Sequence, residues 1–317
     1  NRWRDIGVDR PIFITSLPRA GTTIGLQALN RVCHVATHSY RDMPFILTPV
    51  LWDKVSRGFR RTSKPAERAH GDGLVIDEDS PEAFEEVLWK QYFPAHYDQT
   101  GTVCWPDSTH HAEFEDVFTT HMQKMLLLRA AGASTGSRYI SKNNANIARI
   151  AYLQKLFPGA QFVVPVRHPV EQAISLYRQH RNFTQQHAED AFTRRYMADI
   201  GHFEFGELHR PLQFSGLGDL VNDRAPDSLN YWIAYWIAAY REIARHPGLC
   251  LVGFEDLCTQ PETSLNNLLD CLGLQADKTP VGQVAQVFKP PAERRSDYGT
   301  DPVLVEQAMS CYKGLLG

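Results

Sequence analysis

Apolar positions along the chain alternate between short β-rich runs and longer helical stripes. Ile12-Phe13-Ile14 is a β-branched and aromatic run; Pro18 and Gly21 punctuate the next few positions, and Ile24, Leu26, Ala28 and Leu29 then recur at helical spacing. Tyr139-Ile140-Ser141 predicts a second strand, and Ile147, Ile150, Ala151, Leu153 and Leu156 form a helical stripe. Phe157-Pro158-Gly159 stops that helix, and Phe162 to Val166 is a buried-type strand, which completes a βαβ unit. Leu249 to Phe254 predicts another buried strand, followed by a helix from Pro261 to Leu272. Further helices are predicted from Phe114 to Ala131 and from Leu229 to Ala244. The second is apolar around most of its circumference, which puts Trp232 and Trp236 in the core. Ser80-Pro81-Glu82 reads as a helix start, with Ser80 as cap and Pro81 at the first position.

Two stretches break the alternation. Residues 52–75 are basic and Gly/Pro-containing, with Lys54, Arg57, Arg60, Arg61, Lys64 and Arg68, and read as a mobile loop that is either solvated or a binder of an acidic substrate. Residues 182–227 are polar and irregular, which predicts an insertion or lid with little regular structure. The whole chain, 1–317, is therefore expected to be one α/β domain carrying inserted loops.

Composition narrows the class. Hydrophobic residues at 43% and charged residues at 22% exclude disordered and fibrous chains. A net charge of −3 gives no overall attraction to nucleic acid, so an anion site has to come from a local basic cluster. No apolar run reaches the ~18 residues of a membrane helix, so no span is expected. The six cysteines form no close pair of the metal-binding or redox kind, which predicts no structural metal. Cys250 and Cys271 read as small core residues. A cytoplasmic, reducing location is the resulting expectation, although a start at Asn1 leaves open a trimmed targeting segment or membrane stem.

The candidate chemistry centres on Leu17-Pro18-Arg19-Ala20-Gly21-Thr22-Thr23, where a strand hands over to a helix N-terminus. Unpartnered N–H groups and the helix dipole suit a phosphate or sulfate there, and Arg19 adds a full charge. The alternative is an ordinary turn with Thr22 as N-cap. The phosphate loop G-x-x-x-x-G-K-[ST] is not matched, because Thr22 stands in the lysine position; this disfavours a nucleoside-triphosphate hydrolase and a P-loop-type nucleotide kinase. Arg167 lies at the C-terminal end of a predicted strand, where ligands gather in open α/β sheets, and Ser175 lies two turns into the next helix.

These stretches together resemble the sulfotransferases that use 3′-phosphoadenosine-5′-phosphosulfate (PAPS). Residues 17–23 are similar to that family's 5′-phosphosulfate loop, with Ala20 in place of a serine, and Arg167-His168-Pro169 with Ser175 is similar to its 3′-phosphate motif. Phe157 to Phe162 and Gly253 to Leu257 resemble framework segments of the family. The resemblance implies a P-loop-like fold: a central parallel sheet with helices on both faces and inserted substrate loops. It also implies sulfuryl transfer from PAPS to an acceptor hydroxyl on a glycan, lipid or small molecule, leaving 3′,5′-bisphosphoadenosine (PAP), with no metal. Arg19, Ala20, Gly21, Thr22 and Thr23 would hold the phosphosulfate, Arg167 and Ser175 the 3′-phosphate, and Lys142 the leaving oxygen. Arg294 or Arg295 would close over the nucleotide. The family's base is a His, Glu or Asp, which points to Asp42 ahead of His38, with Glu78 and Asp79 in reserve. Arg41, Trp52 and Trp105 are the expected acceptor contacts. A non-catalytic anion- or partner-binding relative is the remaining alternative.

Overall fold

The computed structural model describes residues 3–59, 66–67, 75–77, 79–82, 84–98, 100–129, 137–289 and 299–317. Five strands, β1 (Ile12–Ile14), β2 (Val35–Ala36), β5 (Arg138–Lys142), β6 (Gln161–Val166) and β7 (Cys250–Gly253), form one sheet in the order β2-β5-β1-β6-β7. Every neighbouring pair is parallel. A two-residue pair, β3 (Ala66–Glu67) and β4 (Val75–Ile76), stands apart from it.

Parallel strands require crossovers, and helices supply them: α1 (Thr22–Val32) between β1 and β2; α2 (Pro49–Ser56), α3 (Glu86–Tyr92) and α4 (Ala112–Arg129) between β2 and β5; α5 (Ile150–Leu156) between β5 and β6; and α6 (Pro169–Glu189), α7 (Ala191–Ile200), α8 (Leu217–Val221) and α9 (Leu229–Ile243) between β6 and β7, while α10 (Phe254–Thr259), α11 (Pro261–Leu272), α12 (Val281–Ala285) and α13 (Pro302–Leu316) follow the last strand. Strand alternation distributes the core between two faces. Ile12, Ile14, Ile140 and Val163 pack with residues of α1, α11 and α12, whereas Phe13, Tyr139, Phe162 and Val164 pack with those of α4, α5, α6 and α9. Both sheet faces are thus covered, the α/β architecture that the apolar pattern and the family resemblance predict. Trp232 and Trp236 are core residues, both fully buried.

Three expectations are corrected. Ser80 and Pro81 do not start a helix. Ser80 Oγ is bound in a turn with Asp77, Pro81 bridges to Ser39, and the Glu82 N–H bonds the His38 carbonyl, so the segment is pinned as extended chain and α3 begins only at Glu86. Residues 182–227 are not low in regular structure. Helix α6 continues to Glu189, the Asp190 carboxylate caps α7 by accepting from the Phe192 N–H, and Gly201, at φ 80°, ends α7. Cys250 and Cys271, read as separate core residues, form a disulfide between β7 and α11, which removes the cysteine argument for a reducing compartment. In the 52–75 stretch, residues to Ser56 extend α2, while Arg60, Arg61, Lys64 and Arg68 lie outside the described residues. Among the described residues no helix is long and apolar enough to cross a membrane.

The disulfide ties an edge strand to the helix beside it, closing a sequence separation of 21 residues. Replacing both partners (Cys250→Ala with Cys271→Ala) is expected to cost about 3 kcal/mol, read as a lower denaturation midpoint. Non-reducing peptide mapping of the wild type is expected to recover the linked pair.

Candidate active site

The C-terminal ends of β1, β5, β6 and β7 deliver their loops to one edge of the sheet. After β1, the Thr15 N–H bonds the Val163 carbonyl at 2.9 Å, and the Ser16 hydroxyl meets Tyr240 Oη at 2.7 Å, so the chain is fixed before it turns. Arg19 then adopts φ 69° and Gly21 φ 93°. A Cβ on residue 21 would stand 2.8 Å from the Phe254 ring. Helix α1 opens immediately, its first turn free of acidic residues, and the Gly25 N–H makes the first helical bond to Gly21. The first-turn N–H groups therefore have no intrahelical acceptor, and no first-turn carboxylate offsets their partial positive charge.

Three residues distant in sequence meet at this turn. Arg19 Nε donates to Ser175 Oγ at 3.1 Å, and Arg167 Nη1 donates to the Arg19 carbonyl at 2.8 Å. The Arg167 guanidinium lies 4.8 Å from the centre of the Phe254 ring. Burial pushes Arg167 below its ordinary pKa, with Glu255 opposing. Gln172 supports the loop from behind. Its amide donates to the carbonyls of Leu17 and Pro18, and its own oxygen accepts from Trp236 Nε1 and the Tyr240 hydroxyl.

A cavity of about 250 Å³ extends from this loop. Arg19, Thr22, Thr23 and Lys142 line one end; Tyr40, Glu82 and Phe84 form a side; and α7 with the segment after it forms the opposite wall. Glu82 lies 3.7 Å from Lys142 Nζ and accepts from the Tyr40 hydroxyl at 2.8 Å. Thr22 Oγ1 donates to Asn144 Oδ1 at 3.3 Å.

Beneath lies a buried ion pair. Arg149, with 0% exposure, forks onto both oxygens of Glu86 at 2.7 and 2.8 Å, and Tyr97 Oη and Asn143 Nδ2 also donate to that carboxylate. Burial would raise the Glu86 pKa, but Arg149 and the donors outweigh it and hold the carboxyl below its ordinary range. The guanidinium lies 4.2 Å from the Trp89 ring and 4.4 Å from the Trp105 ring. Trp105, expected to stack on an acceptor, is 2% exposed and instead forms this platform.

Other expected residues lie away from the cavity. Both Asp42 oxygens accept from Arg129 Nη2 at 2.7 Å, and the carboxylate also takes the Ser39 N–H, which closes a capping box. His38 is 1% exposed and stacks on His121; burial and Arg129 push it down to about 3, so it is neutral. Neither lines the cavity. Arg41 pairs with Asp79, and Trp52 packs on Phe45 with its Nε1 bonded to the Arg41 carbonyl; both are outside the lining. Glu78, Arg294 and Arg295 lie outside the described residues. Among the described residues, no three His, Cys, Asp or Glu side chains are placed to hold a metal ion.

Glu82, Tyr40, Gln172 and Asn144 carry no motif that singles them out in the sequence. Glu82 was visible only as the first-turn acid of a helix that does not form there. Gln172 and Asn144 give no local signal, because their roles arise from distant backbone.

A family model described as the sulfotransferase family matches residues 11–206. No curated protein matches the sequence. Among solved structures, sulfotransferase STF9 from Mycobacterium avium aligns with a TM-score of 0.54 at 11% identity, over 99% of this chain and 78% of that one. Sulfotransferase STF1 from Mycobacterium tuberculosis H37Rv aligns with a TM-score of 0.51 at 16% identity, over 99% of this chain and 79% of that one. At such identities the likeness is one of fold.

Next to the buried ion pair, Glu85 is fully buried and accepts from the Tyr139 hydroxyl; burial raises it to about 7, with Tyr139 and Ser141 opposing. Its folded pKa exceeds its unfolded one, so its contribution to stability is present at low pH and is lost as pH rises from about 4.5 to 7. Glu85→Gln should remove that component. The difference in unfolding free energy between wild type and variant, measured from pH 4.5 to 8, is expected to move by a few kcal/mol in the variant's favour as pH rises.

Proposed function

The chain belongs to the sulfotransferase family, and we propose that it moves a sulfuryl group from PAPS to an acceptor hydroxyl. The observation that carries this reading is the meeting of Arg19, Arg167 and Ser175, from residues up to 156 positions apart, at the N-terminus of a helix with no first-turn acid. That arrangement offers two anion-binding ends. The α1 N-terminus with Arg19 suits a 5′-phosphosulfate, and Arg167 with Ser175 suits a 3′-phosphate, the arginine as a charged fork and the serine as a hydroxyl donor. The absence of Gly-Lys at the turn argues against a triphosphate.

In this reading the acceptor oxygen attacks sulfur in line with the bridging oxygen, a new S–O bond forms, and the old S–O bond breaks. Negative charge grows on the bridging oxygen, where the loop N–H groups, Arg19 and Lys142 stabilise it with little reorganisation. Glu82 takes the acceptor proton. It replaces Asp42 and His38 in that role because it faces the cavity, whereas Asp42 is held by Arg129 and His38 is buried against His121. Lys142 keeps Glu82 close to the loop and ready to receive a proton beside the reacting atoms.

Calorimetry with PAP is expected to give saturable binding, weakened about 10-fold or more by Arg167→Ala, in keeping with the loss of a charge-assisted contact. No binding to the wild type would falsify the donor assignment. Glu82→Gln is expected to lower kcat by about 10²–10⁴ with PAP affinity nearly unchanged. Asp42→Asn should lower the thermal midpoint more than kcat; the reverse pattern would return the base to Asp42.

A further inference from the structure

We infer that the acceptor is an uncharged, largely apolar alcohol or phenol, an inference that rests on sulfuryl transfer at the loop end of the same cavity. The lining of the cavity includes an apolar set, Leu176, Met197, Ile200, Phe203, Phe205 and Trp232. Leu176, Met197 and Ile200 offer no hydrogen bond from their side chains, so a polyhydroxylated sugar lying against them would lose water without replacement partners.

Among the described residues, the charges in the lining do not provide for an anionic acceptor. The cations are Arg19, Lys142 and Arg210, and the carboxylates are Glu82, Glu86 and Glu204, so the described lining is balanced three against three. Under the proposed reading Arg19 and Lys142 serve the phosphosulfate, and Arg210 lies over the Phe203 ring at 4.3 Å with Nη1 donating to the Tyr97 carbonyl. Glu204 lies 3.3 Å from His202 Nδ1. A sulfated or carboxylated glycan would bring negative charge to a described lining that offers it no excess of cations. Arg57, from the basic stretch, pairs with Asp53 at 2.7 Å and does not reach the lining.

The wall is also preorganised. Phe205 stacks on Phe183 with ring centres 6.0 Å apart and lies 6.0 Å from Trp232. Helix α7 is capped by Asp190, and Lys90 Nζ ties its end by donating to the carbonyls of Ala198 and Asp199. A rigid apolar wall favours a ligand of matching character because little ordering is needed on binding.

The test uses 2-naphthol and 1-octanol as aryl and alkyl probes, with a chondroitin oligosaccharide and N-acetylglucosamine as sugar probes. Binding is measured by calorimetry with and without PAP, and sulfate transfer with labelled PAPS. At least one apolar probe is expected to bind and to be sulfated with kcat/KM at least ~100-fold above either sugar; the two probes together report whether an aryl or alkyl body is preferred. Met197→Asp should weaken that probe ~10-fold or more without moving PAP affinity, and Met197→Leu should recover most of the loss, separating wall chemistry from misfolding. Preferred transfer to either sugar, or no binding of both apolar probes, overturns the inference. If PAP fails to bind, the donor assignment fails, and the titrations without nucleotide still decide the apolar one.

Discussion

Residue 21 has to lack a side chain, because the Phe254 ring at the start of α10 occupies the space a Cβ would take and the backbone there is left-handed. That close approach brings four segments together: the end of β1, the start of α1, the end of β7 and, through the same aromatic ring, Arg167 after β6. A bulkier residue would separate Phe254 from the turn and leave Arg167 without the surface it lies against. Once the turn is closed, the Arg19 carbonyl is presented to Arg167 and the Arg19 side chain to Ser175. The geometry of the anion site is thus set by a backbone contact more than by its charged groups.

The second structural commitment is the charge pair under the cavity. Burying a guanidinium and a carboxylate costs desolvation that their attraction offsets only when the remaining hydrogen-bonding positions are filled. Here Glu86 also accepts from Tyr97 and Asn143, and Arg149 rests near two indole faces. Arg149 Nε is left buried without a hydrogen-bond partner among the described residues, and the bonds that are made join α3 to the segment after β5 as a stiff floor. Lys142 and Asn143, adjacent in sequence, consequently have different partners: one pairs with Glu82 in the cavity lining, the other donates to the Glu86 of the ion pair.

Four of the five strands of the sheet and most of its helices were legible because buried parallel strands read as continuous apolar runs, and the turn at Pro18–Gly21 carries its own chemistry; the two-residue edge strand β2 is too short to show such a run. Arg167 and Ser175 were singled out by the spacing they share with the family's motif, and both contact Arg19. What escaped depends on distant chain. Glu82 looked like a helix-starting acid until the bridge between Ser39 and Pro81 fixed it as extended. Trp105 looked available for stacking because nothing local shows that Arg149 lies against it. Helix α7 was missed although Asp190 and Gly201 mark both its ends, because its apolar positions are divided between solvent, where Phe192 is exposed, and the core that Met197 joins, so no single stripe stands out. The Cys250–Cys271 pairing was hidden by a separation of 21 residues that folds back to a Cα distance of 6.3 Å.

The bond from Arg19 to Ser175 has a thermodynamic meaning beyond placement. Because the serine oxygen accepts from the arginine, its own proton is directed to a further acceptor, and an anion held there also orders the arginine. Under the proposed reading, the two ends of the donor are therefore coupled: occupancy of the 3′-phosphate site improves the 5′ site, and the reverse holds by the same factor. A nucleotide lacking the 3′ group loses more than one contact, since it also leaves Arg19 less well aimed at the transferred group. On that reading, selectivity among adenine nucleotides arises from cooperation between the two ends.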